Sequence, residues 1–292
     1  CRQYKSISGA VMNIVSSVVE VRAQVKEWRR LGLSVGLVPT MGYLHEGHKS
    51  LIVRAVAEND RVVVSDFVNP TQFGPHEDLA NYPRDIDADS RLCEAAGAHL
   101  IFHPRPEDMY ASDCCTWVDM TGLTDGLCGK SRPGHFRGVC TVVSKLFNIV
   151  APDRAYFGQK DAQQLAVIRR MVRDLNFDVE IIGCPIVREA DGLARSSRNT
   201  YLNAEERQAA VVLSRAVTLG RTMMEQGERR AETVLSAMRK MLESEPLARI
   251  DYVEMVDASS MQPVAEIRGP VLCAIAVYIG KTRLIDNVVF EG

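Results

Sequence analysis

Apolar positions along the chain follow two regimes that meet near Arg188. Before it, short apolar or β-branched runs alternate with longer segments whose apolar residues recur at helical spacing. Val35 to Val38, Arg61 to Val68, His99 to His103, Ala155 to Phe157 and Val179 to Val187 predict strands. Ile14 to Leu31, Lys49 to Glu58, Asp85 to Ala96, Val139 to Val150 and Asp161 to Leu175 predict helices. Alternation of this kind predicts a parallel sheet with helices on both faces.

After Arg188 the order changes. Asn203 to Gln226 predicts one long helix, with Asn203 as N-cap, Glu206 at the capping-box position and Gly227 as the stop. A second helix over Ala231 to Glu243 follows. Three strands then come with no helix between them: Ile250 to Val256, Val271 to Ile279, and Arg283 to Val289, the last two joined by Gly280-Lys281 as a hairpin. The reading is therefore an α/β domain over residues 12–187 and a smaller C-terminal α+β domain over residues 188–292. Residues 1–11 lack such patterning and are expected to be a poorly ordered extension, a trimmed transit sequence being the alternative.

Composition narrows the function classes. The formal charge of −2 favours neither nucleic acid nor an anionic membrane as partner. The longest strongly apolar run, Val271 to Ile279, is too short to span a bilayer. Eight cysteines include no Cys-x-x-Cys pair and no zinc-like spacing, which predicts reduced thiols in a cytoplasmic compartment.

The candidate chemistry lies at the predicted strand ends. Pro39-Thr40-Met41-Gly42-Tyr43-Leu44-His45-Glu46-Gly47-His48 joins a strand to a helix. A helix N-terminus offers free N–H groups to phosphate, and two imidazoles beside it can donate to a phosphate as charge builds on it. Such a pair can also bind metal, but no third ligand is suitably placed. Asn69 and Gln72, in Phe67 to Gly74, suit either a small polar substrate or ordinary Asn-Pro turn chemistry. Ser131 to Gly138 is basic and glycine-containing; it suits an anion, or a solvated loop with a cap. In Phe157 to Asp161, Lys160 suits triphosphate oxygens, while Asp161 and Gln164 equally form a capping box. Arg195-Ser196-Ser197-Arg198-Asn199 places hydroxyls and guanidinium groups between the two predicted domains.

Together these segments, in this order and spacing from about Met12 to the end, resemble the pantoate–β-alanine ligase family; Arg283-Leu284-Ile285-Asp286-Asn287 completes the pattern. The resemblance implies a Rossmann-like domain, a homodimer, and Mg²⁺ held mainly by phosphates. It also implies a two-step reaction, in which ATP and pantoate give pantoyl adenylate and β-alanine then displaces AMP. By the same resemblance Met41, Gly42, Tyr43, Leu44, His45, Glu46, Gly47 and His48 line the ATP site, with His48, His45 and Lys160 catalytic. Gly158, Gln159, Lys160, Asp161, Val187 (through its backbone), Arg195, Ser196, Ser197 and Arg198 contact ATP. Gln72 and Gln164 hold pantoate, Gln72 also lying near β-alanine, and Asp89 is the carboxylate nearest Mg²⁺. Gln159 and Arg195 depart from the family's usual Glu and apolar residue. Without the later motifs, two other readings remain: a transferase releasing a stable nucleotidyl product, and a non-catalytic nucleotide-binding protein. Gly74 to Asp87, rich in polar and turn residues, is a candidate cover over the site.

Overall fold

The computed structural model describes residues 12–292; the expectation for residues 1–11 lies outside them. Six strands, β1 (Asn13–Val15), β2 (Val35–Thr40), β3 (Arg61–Asp66), β4 (Leu100–Phe102), β5 (Arg154–Gly158) and β6 (Glu180–Cys184), form one parallel sheet. Their order is β1-β4-β3-β2-β5-β6. Val62, Val63 and Val64 of the central β3 are all fully buried, as a strand covered on both faces requires. On one face Val21, Val25 and Trp28 pack with the helix His135–Val150; on the other, Leu51, Ile52 and Ala55 pack against Val62, Val64 and Ile101. From β2 the chain winds one way to β3 and β4, then returns to place β5 and β6 on the other side. The strand order thus reverses between β2 and β5, and a crevice opens at their carboxyl ends.

Several predicted helices start or break differently from expectation. The helix expected from Ile14 begins at Val18, because Asn13–Val15 pairs in parallel with Leu100–Phe102 and Ser17 forms a capping box with Glu20. The long helix after Asn203 is two, Ala204–Ala209 and Val211–Glu225, still opened by the Asn203–Glu206 box.

The remaining strands, β7 (Ala248–Asp257), β8 (Val271–Ile279) and β9 (Thr282–Phe290), form an antiparallel sheet. Ile279 pairs with Thr282 across the expected Gly280-Lys281 turn. Leu213, Val217, Val234 and Met238 from two helices pack against Val253, Ile275 and Val277. From the same sheet Val256, Leu272 and Ala274 join the core of the parallel sheet, so β7–β9 sit firmly beside the crevice. The seven cysteines among the described residues are free, and no helix among those residues is long and apolar enough to cross a membrane.

Candidate active site

After β2 the chain reverses through Gly42 (φ 76°) and Tyr43 (φ 50°). A Cβ at Gly42 would collide with the Asp66 carboxylate, so only glycine fits this turn. The backbone N–H groups of Tyr43 and Leu44 donate to Asp89 Oδ2 and Oδ1 at 2.7 and 2.6 Å. The family resemblance puts Asp89 near Mg²⁺. Its side chain braces the turn from beneath, each oxygen accepting one backbone N–H, and the residue is 2% exposed. Burial, with Asp66 beside it, raises its carboxyl to about 6.

His45 is the N-cap of the helix Glu46–Glu58, which therefore starts earlier than the apolar pattern predicts. His45 Nδ1 accepts from Gly47 N–H at 3.1 Å, and His48 Nδ1 accepts from His45 N–H at 3.3 Å. An imidazole nitrogen that accepts carries no proton, so both rings hold theirs on Nε2. The ring centroids are 4.1 Å apart. Burial, helped by the Lys160 ammonium, pushes His45 down to about 4. Burial and the neighbouring His45 and Lys160 hold His48 well below its ordinary value. Near pH 7 these are two neutral N–H donors.

Opposite them, β5 ends at Gly158 and the turn Gln159–Asp161 carries Lys160, whose Nζ lies 3.8 Å from Asp161 Oδ2. The Asp161 side chain makes no cap hydrogen bond, so the capping-box reading is not realised and Gln164 lines the cavity. Arg198 is held bidentately by Asp78 at 3.0 and 2.9 Å, and Ser197 Oγ donates to Tyr43 O at 3.1 Å. Arg195 is paired with Glu189 at 3.2 Å. Gln72 is 7% exposed; its Nε2 contacts Met41 Sδ at 3.0 Å and its Oε1 accepts from Asn69 Nδ2 at 3.0 Å.

A cavity of about 220 Å³ collects Met41, His45, Gly47, His48, Gln72, Gly158, Lys160, Asp161, Gln164, Val187 and Arg195 to Arg198. Tyr43 and Leu44 border a neighbouring pocket, Gly42 is buried in the turn, and exposed Glu46 pairs with Lys49. Gln159 turns its carbonyl to Asn287. A second cavity of about 610 Å³ adjoins the first at Lys160, Gln164 and Arg198 and reaches Tyr252 and Arg283.

Several polar residues at this site carried only an open reading in the sequence. Asn69, 1% exposed, donates to Gly138 O and so ties the Gln72 turn to the helix His135–Val150. Arg132 is clamped by Glu77 at 2.6 and 2.7 Å, and His135 donates from Nδ1 to Gln72 O at 2.9 Å. Glu77 and Asp78 both belong to the segment read as a cover. Their pairing with Arg132 and Arg198 was not legible, because 55 and 120 residues separate the partners.

These titrations fix an expected pH response. Burial holds His45, His48, His99 and His135 below 6.5 in the fold. Above 6.5 they cost nothing; below it the unfolded chain binds protons that the fold refuses, so stability falls as pH drops towards 4. Each excess proton contributes up to about 1.4 kcal/mol per pH unit. Asp89, raised to about 6, opposes this by taking up one proton in the fold. The melting temperature should therefore decline steadily from pH 6.5 to 5. A flat or rising profile would mean that these histidines are charged in the native state.

A sheet with its switch point under a His-x-Gly-His turn, facing a lysine and an arginine, defines an α/β enzyme built to act on a nucleoside triphosphate. The model of the pantoate-beta-alanine ligase family matches residues 13–289. The chain belongs to the pantoate–β-alanine ligase family. It is 59% identical over 276 residues to the pantothenate synthetase of Clostridium acetobutylicum, covering 94% of this chain and 98% of that one. It is 61% identical over 280 residues to that of Enterococcus faecalis, covering 96% and 99%. Its fold matches the crystal structure of pantothenate synthetase from Thermus thermophilus with a TM-score of 0.90 at 47% identity, over 95% and 99% of the two chains. The pantoate-beta-alanine ligase of Francisella tularensis, crystallised with beta-gamma ATP and beta-alanine, matches at 0.78 and 32%, over 96% and 98%.

Proposed function

We propose that this ATP-dependent ligase joins pantoate to β-alanine in two steps within the cavity under the His-x-Gly-His turn. A pantoate carboxylate oxygen attacks the α-phosphorus, an O–P bond forms, and the bond to pyrophosphate breaks. The β-alanine amine then attacks the acyl carbon; a C–N bond forms, the C–O bond to AMP breaks, and the amine gives up a proton.

The observation that carries this reading is the pair of neutral Nε2–H donors on His45 and His48, lining one cavity with Lys160 and Arg198. Both reactants of the first step are anions, so the cationic side chains cancel repulsion while the imidazoles donate to oxygen as charge builds. Gln72 and Gln164 hold pantoate, with Gln72 near the amine. Arg198 brings its charge to the phosphates while Asp78, from the 74–87 segment read as a cover, holds two of its nitrogens. Asp161 is the carboxylate lining this cavity, and no group of three His, Cys, Asp or Glu side chains among the described residues is arranged to hold a metal. Mg²⁺ therefore fits as an ion carried by the triphosphate, where it would neutralise the leaving pyrophosphate. We assign residues 12–187 to nucleotide and pantoate binding, residues 188–292 to the smaller domain that closes the site, and the working form to a cytoplasmic homodimer.

The test is isotope exchange. With pantoate and Mg²⁺, the protein should exchange labelled pyrophosphate into ATP without β-alanine, because the first step is complete and reversible by itself. Exchange that strictly requires β-alanine would refute a free-standing adenylate, and failure of pantoate to support any AMP release would refute the substrate.

A further inference from the structure

We infer that Asp286 and Asn287, consecutive residues of β9, are positioning residues that hold the two phosphate-binding arms of the site in register, Asn287 acting through Lys160. The inference rests on the reading of Lys160 given above. Successive strand residues point to opposite faces, and here both faces carry a buried polar group: Asp286 is 1% exposed and Asn287 3% exposed.

On one face, Asp286 takes Arg188 in a bidentate pair at 2.7 and 2.9 Å, and Arg188 also donates to Gly192 O at 3.0 Å. This fixes the hairpin whose return strand leads directly into Arg195 to Arg198. On the other face, Asn287 Nδ2 donates to Gln159 O at 3.0 Å and to Lys160 O at 2.9 Å. Both partners are carbonyls, so the amide has only one workable orientation. The three-residue turn carrying Lys160 is thereby held at two successive carbonyls by a strand about 127 residues away in sequence.

Asn287 Oδ1 is buried and has no hydrogen-bond partner among the described residues. An apolar residue at this place would leave Gln159 O and Lys160 O without the two bonds that Asn287 Nδ2 donates. Both of its amide hydrogens are thus committed to the backbone of the turn that carries Lys160.

The experiment is a double-mutant cycle on Asn287→Ala and Lys160→Ala, with thermal melting recorded for every variant. Pantoate-dependent pyrophosphate exchange reads the first half-reaction; pantothenate formation from supplied pantoyl adenylate and β-alanine reads the second. Asn287→Ala should lower exchange about 10- to 100-fold, leave the second half-reaction within about threefold, and add less than about twofold to the loss caused by Lys160→Ala. Asn287→Ser, which keeps one short donor, should lose less than Asn287→Ala and guards against a variant that fails to fold. Normal exchange in Asn287→Ala, equal loss in both half-reactions, or full additivity with Lys160→Ala would overturn the inference while leaving Lys160 in place. Normal exchange in Lys160→Ala would instead remove the role of Lys160, and the inference with it.

Discussion

His48→Ala should lower kcat for adenylate formation by about 10²–10³, the loss seen when one preorganised transition-state donor is removed. ATP affinity should change by much less, since the donor matters most when charge has built on the phosphoryl oxygens. The proton is on Nε2 because Nδ1 is occupied by His45 N–H at 3.3 Å. That second contact means alanine also removes a cap from the turn. His48→Asn separates the two roles, because its Oδ1 can still accept from His45 N–H while nothing replaces the Nε2–H donor. Both variants should therefore be slow, and only the alanine should also melt earlier. The rate should show no inflection near pH 6.5 from this residue, whose ring stays neutral well below that value. Near-normal kcat in folded His48→Asn would take the imidazole out of the chemistry.

Lys160→Ala should reduce pyrophosphate exchange by about 10² or more while leaving amine attack on supplied pantoyl adenylate within about threefold. Pyrophosphate carries most of the negative charge and has left before the second step, so a cation placed for it has less to do there. Among the described residues Lys160 is not tightly committed elsewhere: it lies 3.8 Å from the Asp161 carboxylate, and no fork of hydrogen bonds holds it. Arg198, by contrast, is held through two nitrogens by Asp78. The loss has an electrostatic signature as well. The Lys160 charge is one of the causes that depress His45 and His48, so both should titrate closer to their ordinary value in the variant. A larger defect in the second half-reaction than in the first would contradict the assignment.

Much of the lining of this cavity was legible in the sequence, for a local reason. A turn that binds phosphate between a strand and a helix needs glycines, donors and a particular spacing within ten residues, and all of these lie in sequence order from Pro39 to His48. The same holds for Asn203 with Glu206, a capping box made across three residues. Where local signals conflicted, tertiary contacts decided. Ile14 reads as helix by spacing, yet pairs with Ile101 as strand. Asp161 and Gln164 read as a capping box, yet Asp161 makes no cap bond and Gln164 lines the cavity.

Asp89 marks the limit most clearly. The family resemblance names it for Mg²⁺, while its contact with the turn, 45 and 46 residues away at Leu44 and Tyr43, was not legible: two backbone N–H groups donate to it there. Asp78 on Arg198, Glu77 on Arg132 and Asn287 on the Lys160 turn are of the same kind. The amino-acid sequence alone determined the alternating α/β plan and the family pattern, because periodicity, capping and turn chemistry act over a few residues. Which carboxylate holds which arginine, and which buried amide holds the lysine turn, only the tertiary structure decided, because those contacts exist only once distant strands have packed and excluded water.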